Sequence, residues 1–300
     1  MQSRLKESLV YVAEQCDGRV RFSHAGLTEF FDRLAAGAVS PLVFGAYCDL
    51  VLAIEANALD EAETLFAEIV AAPNAPLGPV IIDLAADDIV GADRYRRFSD
   101  TDVEMPFTLF PPRPQDAART RALIGDAFAA LDASNCALAD EIRILLPEIV
   151  LASGEFEGIS AFMMWGGVIL NDNAHNTLLD MVQVLAHESG HHLLFGLCAD
   201  GPMHENDDEA RFSSPLRMDP RPMDGIVHAT YVSARMHQAV NRMMDSGLLD
   251  EAQMEKGRAA NQANVKRFAH GMEAIEGHAR LTSLGAEIMG GAQRYMRPHL

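Results

Sequence analysis

Hydrophobic residues return at helical intervals along most of this chain, and short continuous apolar runs interrupt them in its middle third. From Leu5 to Ala71, Leu, Val, Phe and Ala recur every three or four positions, which predicts helices broken around Asp17-Gly18, Gly37 and Ser40-Pro41. Pro73-Asn74-Ala75-Pro76-Leu77-Gly78-Pro79 then separates an N-terminal helical region, 1–78, from a second region, 79–300, expected to pack with it as one compact unit. Val80–Leu84 and Phe107–Phe110 read as short strands, Gln115–Ala133 as a helix led in by Pro111-Pro112-Arg113-Pro114, and Ile142–Val150 and Phe162–Leu170 as buried strands. Asn171-Asp172-Asn173 feeds a helix built on Met181, Val182, Val184, Leu185, Leu193, Leu194, Phe195 and Leu197; Gly196 weakens its end and Asp200-Gly201-Pro202 stops it. A helix from Pro222 or Met223 to about Ser246-Gly247 follows, then two more, Leu248–His270 and Met272–Gly290. The expected fold class is α+β, mainly α-helical, with a few short strands packed against a metal-binding helix.

That helix carries Leu185-Ala186-His187-Glu188-Ser189-Gly190-His191-His192-Leu193-Leu194, an H-E-x-x-H pattern. His187 and His191 lie one turn apart on one face, so both imidazoles can hold one metal ion, with Glu188 beside them. Apolar flanks enclose the pair, where unpaired imidazole and carboxylate groups are costly to bury. His192 is turned about 100° from the shared face and reads as an outer-layer or surface histidine. The candidate third ligand is His228, which shares a helix face with Tyr231 and Arg235 at spacings i, i+3 and i+7. Ile226, Val227, Val232, Met236 and Val240 mark that helix as buried. Glu205 or Asp208, from the run His204, Glu205, Asp207, Asp208 and Glu209, would instead complete a carboxylate-bearing zinc site. A run of acids after Gly201-Pro202 reads first as a solvated loop. His237 falls on another face, and His175, His270, His278 and His299 have no ligand spacing.

The motif stretch L-A-H-E-S-G-H-H-L-L-F, taken with S-S-P-L-R-M-D-P-R-P-M-D-G-I-V-H-A-T-Y-V-S-A-R-M from Ser213 to Met236, resembles the HExxH-motif peptide-modification proteins. Those are Fe(II)- and 2-oxoglutarate-dependent peptide β-hydroxylases associated with ribosomally made, post-translationally modified peptides. The likeness is strongest over residues 175–245, and its proline-rich lead-in to H-A-T-Y-V is not shared by generic zinc peptidases. The resemblance implies iron held by His187, His191 and His228, and 2-oxoglutarate leaving as succinate and CO₂. Three protein ligands leave open positions on an octahedral ion for cosubstrate and O₂. The far carboxylate of 2-oxoglutarate calls for a two-pronged donor, and Arg217, Arg221 and Arg235 are the candidates near the signature. Glu188 and Tyr231 are the candidate catalytic side chains, Glu188 by orienting a ligand histidine or accepting a hydrogen bond nearby. Spacing alone favours zinc hydrolysis with Glu188 as general base. A third reading is a non-catalytic peptide-binding partner that keeps a metal for structure.

Composition changes the picture in three places. Hydrophobic residues at 49% and charged residues at 22% fit an ordinary folded protein. A formal net charge of −19 argues against duplex nucleic acid and anionic membrane as partners and favours a peptide with a basic or leader segment. Cys16, Cys48, Cys136 and Cys198 are scattered without C-x-x-C spacing, as in a reducing compartment. The start lacks a secretory apolar core, and the longest apolar stretch, Ala161–Leu170, is far short of the roughly 20 residues a span needs. A cytoplasmic protein is expected, and nothing in the sequence specifies an oligomeric state.

Overall fold

Apolar runs from the middle of the chain assemble into one four-stranded sheet in the computed structural model, which describes residues 1–16, 18–36, 39–74, 78–84, 89–99 and 108–300. The strands are β1 (Val80–Asp83), β2 (Glu148–Ala152), β3 (Gly158–Ser160) and β4 (Gly167–Asn171), in the order β1-β2-β4-β3. β1, β2 and β4 run parallel, with Ile149 opposite Val168 and Leu151 opposite Leu170, while β3 lies antiparallel on β4. β4 is buried along its whole length and β2 from its second residue, which is why both read as unbroken apolar runs and not as alternating ones. Helices dominate everything else, so the fold is mainly α within an α+β class.

The chain forms two compact units, Met1–Ala117 with Arg143–Ala174, and Ala118–Ile142 with His175–Leu300. In the first, α1 (Gln2–Cys16), α2 (His24–Ala36), α3 (Pro41–Glu55) and α4 (Leu59–Ala71) bury Leu9, Phe30, Leu50, Phe66 and Ile69 among themselves. The break at Ser40-Pro41 is a helix start: Ser40 accepts from the Leu42 N–H and Pro41 needs no donor there. A further break falls at Asn57, whose φ of 56° is left-handed, a conformation Asn tolerates better than most residues. The expected interruptions at Asp17 and Gly37 lie outside the described residues, as do residues 75–77 of the proline-rich punctuation and Phe107 of the second expected strand. Of that strand, Phe110 makes one isolated bridge to Ser153. A helix absent from the sequence reading, α5 (Ile89–Ser99), is tied down by charge: Arg94 and Arg97 reach Asp49 at 2.7 and 2.6 Å, and Arg94, only 6% exposed, also pairs with Glu68.

The second unit contains most of α6 (Pro114–Leu145) and all of α7 (Leu178–Leu197), α8 (Met223–Asp245), α9 (Glu251–His278) and α10 (Ser283–Met296). α7 opens with a capping box between Thr177 and Asp180 and ends through a 3₁₀ turn, Cys198–Asp200, before Gly201. α8 keeps its expected limits, with Gly247 at φ 74° just beyond its end.

Three expectations are corrected. Ile142–Leu145 ends α6 and does not open a strand: Ile142, Leu145 and Leu146 are buried while Ile144 is 71% exposed, which is helical spacing. Phe162–Met164 is a 3₁₀ turn, because Gly166 at φ 94° turns the chain before β4 begins. The last two helices divide at Ala279–Thr282, not at Gly271, so α9 runs through that glycine. Gly271 is there for packing, since a Cβ on it would overlap the Thr230 hydroxyl on α8. Among the described residues, α6 alone is long and apolar enough to cross a membrane; a third of its most apolar stretch is buried, and non-helical geometry at Asn135 kinks it.

Two outcomes follow from this packing. Gly271→Ala gains about 1 kcal/mol of helix propensity but overpacks a buried contact at about 1–3 kcal/mol, so urea denaturation should show a net loss, partly restored by Thr230→Ala. Burial pushes the Asp49 carboxyl up, but hydrogen bonds from Arg97 and Arg94 outweigh it and hold its pKa below the ordinary value. A depressed folded pKa gives stability that is full above the unfolded value of about 3.9 and is lost as pH falls through the folded one. Melting curves below about pH 4 should therefore fall less steeply for Asp49→Asn than for the wild type.

Candidate metal centre

The motif histidines stand on α7 because its other faces are committed: Leu179, Met181, Val182, Leu185, Ala186 and Leu194 are all buried. α8 lies against α7 where Gly190 has no side chain, and a Cβ there would sit 3.0 Å from Val232 Cγ1 and 3.5 Å from Arg235 Cγ. Phe195 faces His228 at 5.2 Å between ring centroids, so higher numbers on α8 meet lower numbers on α7 and the two helices run antiparallel.

This register brings His187, His191 and His228 together as a chain of contacts. His187 Nε2 lies 3.0 Å from His191 Nε2, and His191 Nδ1 lies 2.9 Å from His228 Nδ1. The first two rings meet edge to face, and the second pair stacks with 17° between planes. Two nitrogens bound to one ion at about 2.0–2.1 Å stand roughly 2.9–3.4 Å apart, so His187 and His191 already have the spacing of shared ligands. His228 meets the opposite nitrogen of His191. As they stand, no three His, Cys, Asp or Glu side chains among the described residues are arranged to hold a metal ion, and three-point binding requires an imidazole to turn. The donors fit Fe(II) or Zn(II) in type, being imidazoles kept neutral. Burial holds His187 down to about 4, with Arg267, His228 and His175 adding to it. Burial first, then His187, His228 and His192, holds His191 well below the ordinary histidine value. Burial also lowers His228, against the pull of Asp224.

Other groups complete the surroundings. Glu188 is 3% exposed, with Oε1 3.9 Å from His187 Nε2. The His187 ring stays 23% exposed and forms the open side of the group. Asp224, one turn before His228, places Oδ1 3.8 Å from His228 Nε2, and its D-x-x-x-H spacing is the signal in the sequence that marks it. Phe195 packs on His191, His192 and His228.

Tyr231 is half-buried, its hydroxyl pKa raised mainly by burial, with Arg235 and Glu141 among its neighbours. Of the signature arginines, Arg235 is paired with Glu141 on α6, Arg221 Nε lies 2.7 Å from Asp219, and Arg217 is exposed. Arg267 on α9, named by no motif, is a cationic neighbour of His187. His192 is fully buried, so the surface placement is excluded for it. His237 sits apart, 3.0 Å from the Tyr295 hydroxyl and against the His299 ring. Glu205, Asp207, Asp208 and Glu209 are exposed, as a solvated loop requires. His175 is buried, His270 contacts Ser213 and His278 stacks on Phe212.

No family model matches this chain, and no curated protein matches it. Equilibrium dialysis against Co(II) or Fe(II) should show one bound ion per chain in the wild type. His191→Ala, which removes the middle ring, should abolish it; retention would exclude His191 as a donor.

Proposed function

We propose that this chain is an Fe(II)- and 2-oxoglutarate-dependent dioxygenase that hydroxylates a side-chain β-carbon in a ribosomally made peptide, and that it belongs to the HExxH peptide-modification family its 175–245 segment resembles. The observation that carries this reading is the 2.9 Å approach of His228 to His191. His228 belongs to the block that separates this family's signature from generic zinc peptidases, and it meets the motif histidine across two helices. The carboxylates of the alternative ligand set, Glu205 and Asp208, point to solvent instead.

Iron, with 2-oxoglutarate and O₂, supplies the oxidation: one oxygen atom enters the peptide C–H bond and the other leaves in succinate as CO₂ is released. The protein's part is to hold and shield. His187, His191 and His228 provide donors that burial keeps unprotonated. Phe195 covers the inner faces of the His191 and His228 rings and excludes water there. Glu188 is a buried carboxylate on the side of His187 Nε2, the nitrogen turned toward His191, placed to accept a hydrogen bond from a group held there. Tyr231 and Arg235 extend the same face of α8 one and two turns beyond His228. The net charge of −19 favours a substrate with a basic or leader segment, and the four cysteines, all free, suit the cytoplasm.

Anaerobic addition of 2-oxoglutarate to the Fe(II)-loaded protein should produce the weak visible charge-transfer band of a chelated oxoacid. His228→Ala should lose the band and Glu188→Gln should keep it. A folded protein that gives no band, holds stoichiometric zinc and cleaves peptides only with Glu188 intact would make it a metallopeptidase.

A further inference from the structure

A candidate cosubstrate anchor stands outside the signature. α9 runs antiparallel to α8, since Gly271 meets Thr230 and Gly257 meets Met244 and Val240. α8 runs antiparallel to α7, so α7 and α9 are parallel. Their side chains join at one level: the buried Asn264 donates from Nδ2 to Gln183 Oε1 at 3.4 Å. One turn further along α7 is His187, and one turn further along α9 is Arg267. Arg267 Nη1 donates to Asn264 Oδ1 at 3.3 Å, so the amide that joins the helices also steers the guanidinium.

Arg267 differs from the other arginines near the site in what it pairs with. Arg235 is engaged by Glu141 and Arg221 lies against Asp219. Among the described residues no carboxylate pairs with Arg267, its single hydrogen-bond partner is a neutral amide, and it is exposed, while the His187 ring one level across keeps 23% of its surface open. A guanidinium has five donors in a planar fork, and one bond to Asn264 leaves the rest of that fork for a carboxylate. In a chain of net charge −19, a cation beside the histidines with no acid of its own is a local exception to the surrounding field.

We infer that Arg267, and not an arginine of the signature block, binds the distal carboxylate of a 2-oxo diacid whose oxoacid end lies at the histidines, with Asn264 and Gln183 as the positioning residues behind it. The inference rests on the oxygenase reading. It makes Arg267 the residue that selects a five-carbon diacid over an oxo monoacid.

The test is calorimetric titration of the Co(II)-loaded protein with 2-oxoglutarate and with 2-oxobutyrate, which lacks the distal carboxylate. The wild type should prefer the diacid. Arg267→Gln should weaken 2-oxoglutarate by about tenfold to 100-fold, the worth of a hydrogen bond to a charged group, and leave 2-oxobutyrate unchanged. Arg267→Lys, which keeps the charge without the fork, should fall between. An unchanged preference in Arg267→Gln would overturn the assignment and leave the oxygenase reading standing, as would equal weakening of both acids. Failure of the wild type to bind either acid would overturn both. Arg267 is exposed, so the variant should melt with the wild type, which circular dichroism checks.

Discussion

Where α7 has Gly190, it has no side chain, and Val232 of α8 occupies the space that a larger residue would take. That close approach sets the distance between the two helices, and the distance between the helices sets the contacts of the three histidines. His191 and His228 are 37 positions apart in the chain, yet their ring nitrogens come to 2.9 Å. A wider spacing would leave His187 and His191 as a pair on one helix and His228 as a buried polar group without them. The same device recurs one layer back, where Gly271 lets α9 close on Thr230 and brings Asn264 and Arg267 to the level of Gln183 and His187. Small residues at two crossings thus align three helices around one group of side chains.

The electrostatics follow from that enclosure. Imidazoles removed from water favour the neutral form, and neighbouring rings and the Arg267 guanidinium push His187 the same way. Neutral nitrogens are the form that can bind a metal, and the packing that makes the helices fit keeps these imidazoles in that form. Asp224 and Glu188 stand nearly 4 Å from their histidines, close enough to act as charges but outside direct hydrogen-bond reach. Asp224 faces the His228 nitrogen turned away from His191, whereas Glu188 faces the His187 nitrogen turned toward it.

The pattern along the chain specified what is local. H-E-x-x-H put His187 and His191 on one helix face, and caps and stops set the limits of α7 and α8 to within a few residues. Elements whose signal is not periodic were lost: β3 is three residues long, and α5 is fixed by a buried arginine paired to acids on other helices. A glycine is a weak helix former, so Gly271 reads as a break in the pattern, whereas its neighbour across the helix interface gives the reason it is there.

By itself, then, the sequence determined the mainly helical class and the motif helix with His187 and His191 on one face, since each depends on spacing within a single element. Tertiary structure alone decided which side chains share a neighbourhood. It engaged Arg235 with Glu141, left Glu205 and Asp208 in water, buried His192, and brought Asp224 and Arg267 to the histidines. Those choices depend on how closely helices approach and on which acid reaches which base, distances that no one-dimensional pattern contains.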